Sequence, residues 1–440
     1  MNKPVSPLKD LLKFAIPLIT GQVGQMLFGI GDLMVAGRYS KEVVSAIGVA
    51  SSIFGSFLML GLGLSYAFAP ILAQKLGEGK KVQGYLFTII CYSILFSLAL
   101  VIPMFLFAKF GTNSLGLPEE VTPLFKDYFE ITLYSFPFIL IYQSVKEYLQ
   151  VQQDIWFANV LVIVANIFNL LLNIVLCFGL LGFPEMGGKG LAWATVINRV
   201  LMALALLYYV RKDFLLNLKF IKDFVFDSFK LGFPIAISIL MEVSIFTLVT
   251  ILIGRMDVAS SAAHNIILNL CSFTFMFPLA IGNATSTMVA LSLAENKLQE
   301  AKSYAFGGLK LAVLFEMLTT LTFALIPGLI LSIYTDKLDV IEKGKMLIIL
   351  AAFFQIPDGI QVTLSGILRA MQVTKPVMIL TIIGYWVIGL PLGAYLAYSM
   401  NLQARGLWIG LMTALVLMAI FLFILFLRFS SRRFSKAVEL

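Results

Sequence analysis

The sequence predicts an all-α integral membrane protein: twelve transmembrane helices in two parallel six-helix repeats, an N-lobe and a C-lobe, around a central cavity. Three observations carry that prediction. Hydrophobic residues fill 60% of the 440 positions and charged residues only 13%, with a mean hydropathy of +0.95; a soluble domain runs nearer half apolar and a quarter charged. Twelve apolar stretches reach the roughly 20 residues a helix needs to cross a bilayer. The first half is also written again in the second: displaced by 217 positions, residues 10–80 fall on 227–297 without a gap.

The stretches run in order. The first, 11–37, holds Pro17, Gln25 and Asp32, and is too long and too acidic for a cleavable signal peptide. Next come 44–73 and 85–108, then 124–149 with Pro137, 156–181 with three asparagines, and 190–210 with Arg199. The polar connection around Arg211–Lys230 follows, which sets the expected division at 1–212 for the N-lobe, 213–227 for a cytoplasmic linker and 228–440 for the C-lobe. The second set is 228–253, 259–292, 304–334, 345–371, 376–400 and 405–429. Asp10, Lys13, Pro17 and Gly37-Arg38 meet Asp227, Lys230, Pro234 and Gly254-Arg255, and Glu78 and Lys80 meet Glu295 and Lys297. A looser echo pairs Pro137 with Pro357 and Gly190-Leu191 with Gly406-Leu407. Six spans per half bring both halves in from the same side, which makes the repeat parallel, about an axis along the membrane normal. Strand alternation is absent, which argues against a β-barrel.

The formal net charge of +8 raises a nucleic-acid reading that its placement dismisses. With a cytoplasmic N-terminus, 21 Lys and Arg fall inside, 10 fall outside and Arg199 lies within a span. This is the positive-inside asymmetry, with anionic lipid rather than nucleic acid as the partner. Cys91, Cys177 and Cys271 sit within spans and read as small core hydrophobes. Trp156, Trp193 and Trp408 open spans and suit the interfacial belt.

Ionisable groups in hydrocarbon are expensive and mark functional sites by default. Glu242 stands about twelve residues into the seventh span with no basic residue within a turn, and Asp358 stands mid-way along the tenth. Asp32 lies in the first span; because Glu242 corresponds to Gln25, seven residues earlier, Asp32 belongs about 10 Å nearer the outer face. Lys310 and Glu316 in the ninth span, and Arg199 in the sixth, read as structural pairing, and Glu147 beside Lys146 reads as interfacial. Asn166, Asn169 and Asn173 share one helical face, as interhelical glue or as the lining of a hydrated cavity. His264 reads as packing or capping. No phosphate-binding loop is present, so the chain carries no ATPase, and no residue cluster has structural metal-ligand spacing.

Several blocks carry a family likeness: Pro17…Gln25…Asp32-Leu-Met-Val-Ala-Gly37, Gly232-Phe-Pro234…Met241-Glu242-Val, Ala262-Ala-His264-Asn265…Phe275-Met-Phe-Pro278, Asp358-Gly-Ile-Gln361…Gly366-Ile-Leu-Arg369 and Tyr385-Trp386-Val-Ile-Gly389-Leu-Pro391. In this order and spacing the chain resembles the MATE (multidrug and toxic compound extrusion) family, NorM-like branch, over essentially its whole length. The resemblance implies expulsion of organic cations in exchange for Na⁺ or H⁺, with no cofactor and no enzymatic activity. It implies that Glu242 and Asp358 bind the coupling cation in the C-lobe, Na⁺ included. Asp32 then lines the N-lobe, Asn169 and Asn173 match its cavity-lining positions, and Gln25, Gln361 and Tyr385 join the expected lining. DinF-like members carry an acid near Asn173; its absence here moves the expected ion site to the C-lobe. Ala370 departs from the usual glycine after Arg369, which bears on local packing alone.

The expected setting is a monomer in the bacterial inner membrane, both termini cytoplasmic, with organic cations and the lipid bilayer as partners. A flippase for lipid-linked oligosaccharide or lipid is the alternative; it calls for Arg and Lys to grip pyrophosphate, whereas the mid-span charges here are mostly acidic. An intramembrane transferase would want paired Asp motifs or a His-Asp arrangement, and neither is present. A channel is disfavoured by the duplicated lobes.

Overall fold

The computed structural model describes residues 7–216 and 218–435, and every element in them is helical. The helices are α1 (Pro7–Tyr39), α2 (Lys41–Ser65), α3 (Phe68–Gly77), α4 (Leu86–Phe110), α5 (Val121–Leu133), α6 (Phe136–Val151), α7 (Trp156–Phe178), α8 (Gly188–Tyr209) and the short α9 (Arg211–Leu216). They continue as α10 (Lys222–Gly254), α11 (Val258–Ala294), α12 (Leu298–Leu325), α13 (Pro327–Ser332), α14 (Leu338–Ala370), α15 (Lys375–Ile382), α16 (Leu390–Ala394) and α17 (Ala404–Ser435). Two π-helical stretches, Ile383–Gly389 and Tyr395–Ser399, join α15 to α16 and carry the run on to Ser399.

Eleven helices among the described residues are long and apolar enough to cross a membrane. The crossing expected at 124–149 is made in two pieces, α5 and α6, because the chain turns at Tyr134 and Ser135 just before Pro137. A proline at the second position of a helix keeps its fixed φ without forfeiting an internal hydrogen bond, so the break suits the sequence.

The repeat reappears as matched local chemistry. Ser40 caps α2, its Oγ accepting from the Val43 amide at 3.1 Å, and Asp257, 217 positions later, caps α11 by accepting from the Ser260 amide at 2.8 Å. Each side chain satisfies one of the orphan donors of a helix start. At the far end Gly79 (φ +76°) and Asn296 (φ +58°) both turn left-handed, flanked by the pairs Lys80–Glu78 at 2.8 Å and Lys297–Glu295 at 2.7 Å. The Gly190 and Gly406 echo has a packing cause: a Cβ on Gly190 would lie 2.6 Å from the Leu176 carbonyl carbon, and one on Gly406 would lie 2.6 Å from that of Leu396. Each glycine lets a helix start against the end of the one before it.

Contacts divide the chain into two units, one of residues Thr20–Ala236 and the other of the chain up to Ile19 together with the chain from Ile237. The stretch expected as a linker, 213–227, lies inside the first of these. The two breakpoints are equivalent in the repeat (19 + 217 = 236) and each falls two residues after a matched proline, Pro17 or Pro234. In the first unit the start of α10 is held by Phe224, whose ring lies 5.9 Å from Phe68 and 5.1 Å from Tyr85. In the second, Leu11 and Ala15 of α1 are fully buried.

The core of the second unit runs through Ile267, Cys271, Ile348, Ala351, Ala352, Tyr385, Trp408 and Leu411. Lipid tails are as apolar as leucine, so burial alone does not drive such packing; close contact does. Trp408 belongs to this core at 1% exposure, not to the interfacial belt, and its indole N–H donates to Nδ1 of buried His264 at 3.2 Å. Trp156 and Trp193 are exposed. Lys146 and Glu147 are both buried in α6, with the amides of Gln143 and Gln150 donating to Glu147 Oε1 at 2.9 and 3.2 Å.

Candidate functional site

Within the unit of residues Thr20–Ala236, the polar centre forms around Asp32 of α1, 7% exposed. The Asn173 amide of α7 donates to Asp32 Oδ1 at 2.7 Å and the Thr195 hydroxyl of α8 donates to Oδ2 at 3.1 Å. Asn173 also donates to Asn169 Oδ1 at 3.3 Å, while Asn169 Nδ2 and Asn173 Oδ1 are buried with no partner. The third member of the asparagine stripe does something else: Asn166 donates to the Gly24 carbonyl at 2.7 Å, tying α7 to α1. The stripe therefore ties α7 to α1 at both ends, through Asn166 to the Gly24 carbonyl and through Asn173 to Asp32. Gln25 is half-buried and stands seven residues before Asp32 on α1, about 10 Å along the axis, so it is not part of the cluster.

Arg199 approaches the same centre from α8. Its Nη1 donates to Ser135 Oγ at 2.8 Å and its guanidinium lies 4.9 Å from the Phe54 ring centroid. Asp32 and Tyr128 are the charged and titratable groups it faces. The ion pairing expected for Arg199 is not made among the described residues: its guanidinium faces Asp32 without a close ion pair.

Within the other unit, Glu242 of α10, Asp358 of α14 and Tyr385 converge. The Tyr385 hydroxyl donates to Glu242 Oε1 at 3.4 Å, and the Trp386 indole N–H next to it donates to the Met241 carbonyl at 3.1 Å. Both aromatics lie on the π-helical stretch Ile383–Gly389. Pro391 has no N–H to return to the carbonyl four residues earlier, and a π turn absorbs that defect while re-aiming its side chains. Asp358 is 6% exposed, and the charged neighbours acting on it are Glu242 and Glu316. Gln355, Asp358 and Gln361 follow one another at three-residue steps and share a face of α14. Gln355 donates to Thr274 Oγ1 at 2.6 Å, whereas Gln361, 4% exposed and within reach of Glu242, leaves its Oε1 without a partner.

None of the ion pairs among the described residues includes Asp32, Glu242, Asp358 or Glu316. The basic side chain closest in sequence to Asp358, Arg369, is engaged elsewhere, its Nη2 donating to Asn283 Oδ1 at 2.7 Å. Sequence reading gave Glu316 a structural pairing on its own helix. The pairing expected with Lys310 does not form: Lys310 is exposed, and Glu316 is 1% exposed with the Thr319 hydroxyl donating to its Oε2 at 2.6 Å. Helical arithmetic carried the warning, since six residues at 100° each put two side chains about 120° apart around the axis. Among the described residues no three His, Cys or acidic side chains lie close enough to form a metal cluster. A cation between Glu242 and Asp358 would have to complete its shell with neutral oxygens.

This is a polar constellation held by helices in a lipid-solvated protein, and comparison with known proteins gives it a family. The MatE family model matches residues 17–178 and 234–395, two segments offset by 217, and so marks both repeats. The chain belongs to the MATE family. This MATE chain is 32% identical over 437 residues to the multidrug resistance protein NorM of Photobacterium profundum, covering 94% of each chain. It is 29% identical to MdtK of Pectobacterium atrosepticum, covering 96% of this chain and 95% of that one. With NorM of Vibrio cholerae the identity and both coverages are the same, 29%, 96% and 95%. Among solved structures, a MATE transporter in complex with MaL6 superposes with a TM-score of 0.89 at 19% identity, over 98% of this chain and 97% of that one. A MOP superfamily transporter from Pyrococcus furiosus gives 0.87 at 19% identity, over 97% and 96%. The MATE fold, NorM-like and all-helical with two lobes, is thereby established; the family is one of transporters, not enzymes.

Proposed function

We propose that this MATE protein is a secondary active multidrug efflux transporter that exports organic cations in exchange for Na⁺ or H⁺ by alternating access. The observation that carries the reading is that Glu242, held by the Tyr385 hydroxyl, and Asp358 are charged neighbours inside one unit and that neither enters an ion pair among the described residues. The names of the relatives NorM and MdtK, multidrug resistance proteins, support the efflux part.

The mechanism follows from the chemistry of those side chains. Burying an unpaired carboxylate costs several kcal/mol, so the site demands positive charge before it can be closed off from water. A proton, a Na⁺ ion or a cationic drug meets that demand, and two of them compete for it. Hard carboxylate, amide and phenol oxygens suit a hard cation. Exclusion of one charge by the other yields antiport when the lobes switch only with the site filled. A single charge moving down 100 mV releases about 2.3 kcal/mol, which sustains roughly fifty-fold accumulation. In this reading Glu242 and Asp358 carry the coupling cation. Asp32, Asn169, Asn173 and Gln25 line the substrate chamber, and the lipid-linked oligosaccharide alternative loses its grip because Arg199 is already committed to Ser135 and Phe54. The protein works as a monomer in the bacterial inner membrane with both termini cytoplasmic.

The test is efflux of an organic cation such as ethidium from proteoliposomes, with Na⁺ and pH gradients imposed separately. Under this reading an imposed Na⁺ or pH gradient accelerates efflux. Efflux that is equally fast with no gradient as with either one overturns it.

A further inference from the structure

We propose that Glu316 is a third carboxylate of the Glu242–Asp358 site, a positioning residue whose charge draws the driving cation to those two acids. The inference rests on the reading of that site given above and goes beyond it. Glu316 projects from α12 and is 1% exposed. A Cβ added to Gly359 would lie 2.6 Å from Glu316 Cγ and 3.6 Å from Oε1, so the carboxylate lies over the backbone next to Asp358. The Thr319 hydroxyl donates to its other oxygen, Oε2, at 2.6 Å and fixes its direction. Gly359 is what admits it: any side chain there would displace it.

The titratable groups facing Glu316 are Asp358 of α14 and Cys271 of α11, while Lys310 of its own helix is exposed. No base answers it. A second observation points to a ligand: the Gln361 amide oxygen, one turn from Asp358, is buried without a partner, an acceptor held ready where no protein donor reaches. Three acids and a free acceptor make a centre of negative potential, and burial without compensation is expensive for each acid. Because no three of the described acidic, His or Cys side chains close on a common point, Glu316 acts on the cation through space and through the placement of Asp358, not as a ligand.

The experiment is ethidium uptake into inverted vesicles, driven by Na⁺ or H⁺ in separate arms, with the half-saturating concentration of the driving cation and the maximal rate measured independently. At an effective dielectric near 20, removing one charge a few ångströms beyond contact weakens cation attraction by roughly tenfold or more. Glu316→Gln should therefore raise the half-saturating concentration about tenfold at a nearly unchanged maximal rate, and Glu316→Asp should recover most of the shift. Gly359→Ala, which leaves Glu316 intact but displaces it, should shift the same constant. A Glu316→Gln protein with wild-type half-saturation, or one that loses only maximal rate, overturns the proposal, while loss of coupling in Glu242→Gln keeps the site reading alive. Wild-type coupling in both Glu242→Gln and Asp358→Asn overturns the two together.

Discussion

Replacing Glu242 by Gln is the sharpest probe of the site, since it changes charge and almost nothing else. The amide has the carboxylate's shape, and its carbonyl still accepts from the Tyr385 hydroxyl, now 3.4 Å from Oε1. Folding and insertion should survive. What disappears is one unit of negative charge facing the cation. Two unit charges 4 Å apart at an effective dielectric of 20 attract by about 4 kcal/mol, which is close to a thousandfold in affinity. With the driving ion near its normal concentration, the variant's site stays empty and coupled transport stops. The assay is paired: growth of an efflux-deficient host on an organic cation, and ion-driven uptake into inverted vesicles from cells with matched protein levels. Coupling within tenfold of wild type would refute the assignment, since no buried carboxylate that holds the driving charge tolerates its own neutralisation so lightly.

Asp358→Asn should abolish coupled uptake to the same extent; full ion-driven uptake would remove that residue from the site. Asp32→Asn keeps the Asn173 and Thr195 contacts in part and leaves Arg199 uncompensated, so transport should fall unevenly across substrates, and unchanged efflux of every substrate would make Asp32 structural. His264→Ala orphans the buried Trp408 indole N–H and loses the Thr250 contact at 2.8 Å, which should cost about 2–4 kcal/mol of stability, read as a drop in Tm of the purified protein. The Lys343 ammonium, 2.6 Å from Asp257, holds that carboxyl down at about 2, with the Ser260 contacts adding to it. A depressed value means the contribution is complete above about pH 4 and vanishes as pH falls towards 2. The pair is partly exposed, at 33% and 44%, so screening holds it under about 1 kcal/mol. The Tm gap between wild type and Lys343→Met should accordingly be small at pH 7 and close below pH 4.

The repeat was the most legible feature because it fixes local chemistry at both copies at once. A cap at Ser40 implies one at Asp257, and the left-handed turn at Gly79 implies one at Asn296. Acids in long apolar runs were equally visible, since hydrocarbon makes any ionisable side chain conspicuous. Pairings across helices were not. His264 and Trp408 are 144 residues apart, and nothing in either span says that the indole turns inward to an imidazole. Sequence offered Glu316 a partner on its own helix, Lys310, whereas the structure gives it Gly359 on another. The break at Tyr134 and the π turn beneath Tyr385 depend on which orphaned carbonyls find neighbours, which periodicity alone does not encode.

The breakpoints after Pro17 and Pro234 bear on how the polypeptide is made. A ribosome that has released residue 216 has delivered six crossings but not a finished body, because the strip through Ala236 belongs to it. The leading strip through Ile19, synthesised at the outset, must wait for partners that emerge last. Gene fragments cut at the loop after α9 would each lack a piece that the other encodes, so separately expressed halves should be unstable alone and rescued by co-expression.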